Sequence, residues 1–268
     1  MQAPIITILT DFGERDPYVG AMKGVILSIC SNARIIDLSH DIEKHNIREG
    51  AYYLLSSAKF YPKDTVHLVV IDPGVGSKRK SLIIRTNNYF FVGPDNGVLS
   101  LAALEDKVQK IIEIENPSYF LTSVSNTFHG RDVYAPIAAH LAKNEHLIEF
   151  GPVIDMWIQF KIPEIIEEKN KIHGEIIHID RFGNIITNIP KQTIEKKGFS
   201  QKKQMHIELK GQKLKISLCK SYNEVKIGEF LGIIGSTNFL EIAMNQQSAA
   251  ATLNVQDKEK ITIETPID

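Results

Sequence analysis

Thr65-Val-His-Leu-Val-Val-Ile71 runs directly into Asp72-Pro-Gly-Val-Gly76, and this junction decides how the first half of the chain is read. A run of β-branched and aliphatic residues ended by a Pro-Gly turn predicts a buried strand. A carboxylate just past such a strand sits where open α/β sheets hold their ligands. Asp-Pro and Pro-Gly are also ordinary turn dipeptides, so Asp72 taken alone reads first as a turn former. Chemistry at this position needs company. Arg79 follows in the same polar segment, and a second unusual stretch, Phe128-His129-Gly-Arg-Asp132, adds an imidazole.

Working outward, residues 5–10 predict a first strand ending at Asp11. Asp16 as N-cap with Pro17 at the first helical position opens a helix whose apolar residues recur to Cys30. A strand over 34–38 follows, then Asn46-x-x-Glu49, a capping-box variant before the stripe Ala51, Leu54, Leu55 and Ala58. After the central strand come strands at 81–86 and 89–92, a short helix near 98–104, a strand at 110–115 and a helix over 131–142. Strand and helix alternate, which predicts an N-terminal α/β domain over 1–160 with a largely parallel central sheet. The charged stretch 161–171 reads as a solvated linker. Beyond it, short strands at 174–179, 184–188, 205–209, 214–218, 230–234, 239–243 and 260–264 predict a C-terminal all-β domain over 172–268, barrel-like or a sandwich.

Of the 268 residues, 43% are apolar and 24% charged, and the formal net charge is −1. That balance gives no support for nucleic acid or a membrane as partner. The apolar start before Asp11 is short and lacks the basic flank of a signal peptide. No stretch approaches the roughly 18 apolar residues of a membrane span. Cys30 and Cys219 lie far apart without metal-ligand or redox spacing, which predicts buried thiols in a reducing compartment and a cytoplasmic protein.

Three generic readings compete for the polar clusters. Gly74-Val-Gly-Ser-Lys-Arg-Lys-Ser81 suggests a phosphate loop, but Arg79 stands where the Walker pattern needs its second glycine. Asp11, Asp16, Asp72 and His129 offer ligand types that suit several metals. No metal-ligand spacing accompanies them, and no metal is expected. Capping and turn chemistry accounts for Asp16, Asp132 and Asp95. His40, His45, His67, His140 and His178 read as structural, with His45 a candidate to line a site.

Eight motifs occur in order across nearly the whole chain: Thr10-Asp-Phe-Gly13, Asp16-Pro-Tyr-Val-Gly20, Met22-Lys-Gly24, Asp72-Pro-Gly-Val-Gly76, Gly93-Pro-Asp-Asn-Gly97, Phe128-His-Gly-Arg-Asp132, Asp180-Arg-Phe-Gly-Asn184 and Leu240-Glu-Ile-Ala243. Together they resemble the adenosine-forming S-adenosyl-L-methionine hydrolases, the hydroxide adenosyltransferases related to fluorinase and chlorinase. The resemblance implies an α/β domain, a β-rich domain and a homotrimer, with active sites between one subunit's N-terminal domain and its neighbour's C-terminal domain. It implies that Asp72, Arg79 and His129 organise the attacking water, and that Asp11 binds the ribose hydroxyls. Asn184 would read the adenine edge with Phe182 beside it. Asp180 and Ser236, with Tyr18 and Glu241 as further candidates, would hold the methionine amino and carboxylate groups. Asn96 is either a further substrate contact or a turn residue. The halogenases lack the triad and carry tyrosine at the Asp72 position, which favours water as nucleophile here. Asn238 replaces an expected glycine, and Met244-Asn-Gln-Gln247 replaces a stretch that often carries Arg and Gly.

The implied reaction is displacement at ribose C5′, giving adenosine and L-methionine without a cofactor. The sulfonium leaves as a neutral thioether, so the demand falls on activating and aiming water. A carboxylate beside a guanidinium is a poor base and a good orienting acceptor. Neutral His129 would then be the base; alternatively, Arg79 stabilises developing hydroxide while His129 positions it. Halide transfer, and adenosine binding without turnover, are the competing functions.

Overall fold

The computed structural model describes residues 3–199 and 204–264. The chain divides into two compact units, Met1–Lys161 and Ile162–Asp268.

The first unit runs β1 (Ile5–Thr10), α1 (Tyr18–Ile29), β2 (Arg34–Ser39), α2 (Ile47–Ser57), β3 (Val66–Val70), β4 (Ser81–Thr86), β5 (Phe90–Pro94), α3 (Ser100–Glu105), β6 (Val108–Glu113) and α4 (Ala135–Ala142). Its sheet has the order β2-β1-β3-β5-β4-β6. The pairs β1–β2, β1–β3 and β3–β5 are parallel, whereas β4 is antiparallel to both its neighbours. Helical crossovers allow the parallel pairs, and the short turn between β4 and β5 makes a hairpin. The continuous apolar run through β3 follows from burial on both faces. Val66, Leu68 and Val70 pack with Met22, Ile26 and Tyr134 on one side. Val69 and Ile71 pack with Leu54, Phe91 and Leu99 on the other.

The helix starts differ from the sequence reading. Pro17, not Asp16, occupies the N-cap of α1, and no side chain caps it. Asn46 does cap α2, its Oδ1 accepting the Glu49 N–H at 3.1 Å. The Glu49 carboxylate accepts from the Glu43 N–H at 2.8 Å, so the cap bonds into the preceding turn. A π-helical turn over Gly130–Tyr134 precedes α4 in place of one continuous helix.

The second unit contains β7 (Ile166–Glu167), β8 (Lys171–Ile179), β9 (Ile185–Pro190), α5 (Lys191–Lys196), β10 (Gln204–Leu209), β11 (Gln212–Cys219), β12 (Phe230–Ile234), β13 (Phe239–Met244), α6 (Ala249–Leu253) and β14 (Lys260–Glu264). Strand order is β14-β10-β11-β12-β13-β9-β8-β7, and β14 also pairs with β8, closing a seven-stranded barrel with β7 outside it. Closure removes the free edges that so many short strands would otherwise expose. The charged stretch read as a linker carries β7, which pairs antiparallel with β8. Among the described residues, no helix is long and apolar enough to cross a membrane.

His67 lies wholly within the first core. Its Nδ1 is 2.8 Å from Thr7 Oγ1, and its ring stacks on Phe91 at 5.1 Å between centroids. Burial lowers its pKa from 6.5 to about 3. The unfolded chain therefore takes up this proton at a pH where the folded protein does not, so stability falls as pH drops below 6.5. The expected loss is about 1.4 kcal/mol per pH unit from this group. Denaturant melts between pH 7 and 5 should show a shallower loss in His67→Gln than in wild type; equal slopes would contradict the assignment.

Candidate active site

The β1–β3 register sets Thr10 opposite Val70. Asp11 and Asp72 consequently leave the sheet at neighbouring C-terminal strand ends, the place where α/β sheets gather ligand-binding groups. Asp72 and Arg79 are almost covered, with side chains 5% and 10% exposed. Arg79 chelates the carboxylate: Nε donates to Asp72 Oδ1 at 2.6 Å and Nη2 donates to Oδ2. The same Nη2 lies 3.2 Å from His129 Nδ1. The three residues proposed from sequence therefore form one hydrogen-bonded cluster.

The loops are brought together by backbone contact at Gly76. Its φ is +76°, and a Cβ there would lie 2.5 Å from the Asn126 carbonyl oxygen. Only glycine admits that approach without displacing the segment leading to His129. On the other side, buried Asp132 accepts the Ser125 N–H at 2.8 Å and pairs with Arg131 Nε at 2.6 Å. These bonds fold residues 125–132 back on themselves before α4, and the π-helical turn sets the exit of His129.

Arginine carries donors only. His129 Nδ1 must therefore accept from Nη2, and a neutral imidazole in that arrangement carries its proton on Nε2. Burial and the Arg79 cation both lower the His129 pKa, outweighing the opposing carboxylates of Asp72 and Asp132. Neutral His129 thus carries its N–H on Nε2, leaving neither ring nitrogen free to take a proton. This favours the orienting role over the base role.

Asp11 accepts the His45 N–H at 2.8 Å, with His45 held at φ +67°. Tyr18 belongs to an edge-to-face triangle with Phe12 and Phe128, whose ring centroids are 5.2–5.9 Å apart. Phe128 directly precedes His129, so Tyr18 packs onto the triad's own loop. Asn96 bonds the Ile71 carbonyl at 2.8 Å and receives the Val98 N–H at 3.1 Å, which is turn chemistry bracing the residue before Asp72.

In the second unit, Asp180 Oδ1 accepts the N–H groups of Phe182 and Asn184, each at 2.9 Å. Its Oδ2 accepts from Asn184 Nδ2 at 2.8 Å, and Tyr222 OH lies 3.5 Å from that nitrogen. This turn leaves Phe182 78% exposed, an aromatic face held outward by a braced backbone. Glu241 is buried on β13, and its carboxyl occupies the space where a Cβ on Gly235 would fall. Ser236, next along that turn, is exposed. Burial, reinforced by the charge of Asp180, raises the Glu241 pKa from 4.5 to about 7. Sequence reasoning missed Ser81, Tyr134 and Tyr222, since one begins a strand, one belongs to a helical core and one sits in an unpatterned turn. Among the described residues, no group of three or more His, Cys, Asp or Glu side chains is placed to hold a metal ion.

A mixed, parallel-rich sheet with a polar cluster at its strand ends, followed by a closed barrel, defines a two-unit α/β enzyme architecture. Residues 6–151 match the SAM hydroxide adenosyltransferase N-terminal domain, and residues 174–262 match the C-terminal domain of the same family. The chain belongs to the SAM hydroxide adenosyltransferase family. It is 42% identical to an (R)-S-adenosyl-L-methionine hydrolase of Methanocaldococcus jannaschii, over 97% of this chain and 95% of that protein. A Thermus thermophilus hydrolase of the same name is 32% identical, over 94% and 96% of the two chains. A crystal structure of an uncharacterized conserved protein from Thermotoga maritima superposes with a TM-score of 0.93 at 38% identity, covering 96% of this chain and 99% of that one. Fluorinases are more distant, that of Actinoplanes sp. matching at 27% identity over 97% of both chains.

The carboxyl of Glu241 should titrate near neutrality. A carboxyl-observing NMR titration should find its midpoint near 7, and Asp180→Asn should lower it by removing a like charge. A midpoint at the ordinary 4.5 would contradict this picture of the second unit.

Proposed function

We propose that this protein hydrolyses S-adenosyl-L-methionine, the (R) form in the relatives' name, to adenosine and L-methionine by attack of water at ribose C5′. The single observation that carries the mechanism is the Asp72–Arg79–His129 cluster, with Arg79 bonded to both partners. Its guanidinium holds the carboxylate and imidazole at fixed positions, and pre-oriented polar groups need not reorganise as charge shifts.

In the proposed step, His129 donates its Nε2–H to one lone pair of the water, and Asp72 accepts a hydrogen from it. The other lone pair then points along the line opposite sulfur. The C5′–O bond forms as the C5′–S bond breaks, and the bonding pair passes to sulfur, releasing methionine as a neutral thioether. The new oxygen is briefly an oxonium, a strong acid. Asp72 takes its proton and passes it to solvent. No prior formation of hydroxide and no cofactor is required, because the leaving group departs without protonation.

Asp11 would hold the ribose hydroxyls, and Tyr18, packed on Phe12 and Phe128, would contact the methionine end. Asn184 and Phe182 would receive adenine, and Asp180, Ser236 and Glu241 the methionine end. Asn96 would act by bracing the strand end beneath Asp72. These two sets lie on separate units, and a homotrimer would let one subunit's first unit meet another's second. A cytoplasmic location belongs to the same reading, supported by two buried free cysteines and a metabolite substrate.

Turnover in oxygen-18 water should place the label on the adenosine 5′-oxygen, and unlabelled adenosine would sink direct attack. His129→Ala should lower kcat on the order of 10²-fold, the scale for losing one pre-aimed donor. His129→Gln, which keeps an N–H donor, should retain more activity than the alanine variant. Equal losses in the two would contradict donation by His129. Accumulation of 5′-halo-5′-deoxyadenosine with chloride or fluoride would point instead to halide transfer, and bound adenosine with no methionine released to a binding module.

A further inference from the structure

The geometry points to Ser81 and Tyr134 as positioning residues for the water-orienting cluster, acting through Arg79, a role that rests on the hydrolase reading above. Asp72 occupies the Nε/Nη2 edge of the guanidinium, which leaves Nη1 to be anchored elsewhere. Nη1 donates to Ser81 Oγ at 3.1 Å, and Ser81 Oγ lies 3.0 Å from the Tyr134 hydroxyl. The Tyr134 ring also lies under the guanidinium, 5.6 Å from its central carbon to the ring centroid. The second contact of Nη1, to the Lys80 carbonyl, is long at 3.5 Å.

Both residues stand on fixed framework. Ser81 begins β4, where it pairs with Pro94 of β5 and its carbonyl accepts the Ile114 N–H at 2.8 Å. Tyr134 is completely buried at the junction of the π-helical turn with α4, five residues beyond His129. Burial pushes its phenol well above the ordinary value, so it remains a neutral hydroxyl rather than an acid in the reaction. A planar guanidinium chelated along one edge can still rock about that edge. Tying Nη1 to Ser81 and packing the face on Tyr134 removes this freedom. The quantity protected is the Nη2–His129 contact, which sets both the tautomer and the proton affinity of the imidazole. The charged groups facing His129 are Arg79, Asp72 and Asp132.

The test is steady-state kinetics across pH on Ser81→Ala, Tyr134→Phe and Ser81→Thr, with NMR titration of His129 in each. Ser81→Ala should lower kcat about tenfold, the scale of one hydrogen bond to a charged group, while KM for S-adenosyl-L-methionine stays within about twofold. The His129 midpoint should move up toward the ordinary histidine value as Arg79 loosens. Tyr134→Phe should move both readouts the same way by less, and Ser81→Thr should recover most of the loss. Unchanged kcat and His129 midpoint in both Ser81→Ala and Tyr134→Phe would overturn the role. So would a fall in Tm with an unmoved midpoint, the result of a purely structural contact. If wild type releases no adenosine, the hydrolase reading falls, and the titration alone decides: an upward shift in Ser81→Ala supports the positioning chain, and superimposable curves refute it.

Discussion

A guanidinium offers five N–H donors and no acceptor, and at Arg79 those donors are shared among Asp72, Ser81 and His129. Much of the site's organisation follows from that one-sidedness. A lysine could neutralise Asp72, but a single ammonium could not chelate the carboxylate along one edge while holding an imidazole and a hydroxyl in one plane. Because Arg79 can only donate, the imidazole it touches must accept. Because the imidazole accepts at Nδ1, its other nitrogen carries the proton and is a donor. The cluster is therefore better suited to aiming a water molecule than to deprotonating it, which fits a reaction whose leaving group needs no acid and whose product oxonium sheds its proton readily.

The fold makes this arrangement affordable in structural terms. Strand ends in a parallel sheet are rigid and adjacent, so Asp11 and Asp72 acquire their separation from β1–β3 register rather than from flexible loops. The loops that complete the cluster are pinned by backbone features, notably the close passage of Gly76 by Asn126 and the buried carboxylate of Asp132. The second unit follows a similar rule on a different scaffold. There Asp180 spends its acceptors on its own turn and so presents Phe182 and Asn184 in fixed relation.

Much of this was legible in the sequence because the relevant signals are local. The apolar, β-branched run before Asp72 reads as a buried strand, and β4, β12 and β14 begin and end where alternation and turn residues place them. Barrel closure was less legible, since it depends on β14 meeting β8 across most of the unit. The helices α5 and α6 have six and five residues, too few for a helical period to register. The family resemblance named Asp72, Arg79 and His129, but not how they bond. The chelate spans seven residues and the histidine contact fifty, and no spacing rule connects them. Ser81 and Tyr134 look like a strand start and a helix core, and they gain meaning only where their hydroxyls meet beside Arg79. Asn96 went the other way: its amide is committed to its own turn and to the Ile71 carbonyl.

An oriented water should attack C5′ directly opposite sulfur. The most direct measurement of that claim uses S-adenosyl-L-methionine made chiral at C5′ by a single deuterium, followed by configurational analysis of the adenosine released. The account predicts complete inversion at C5′. Retention, which would require a covalent intermediate or a second displacement, or racemisation, which would require a free cation, would contradict it.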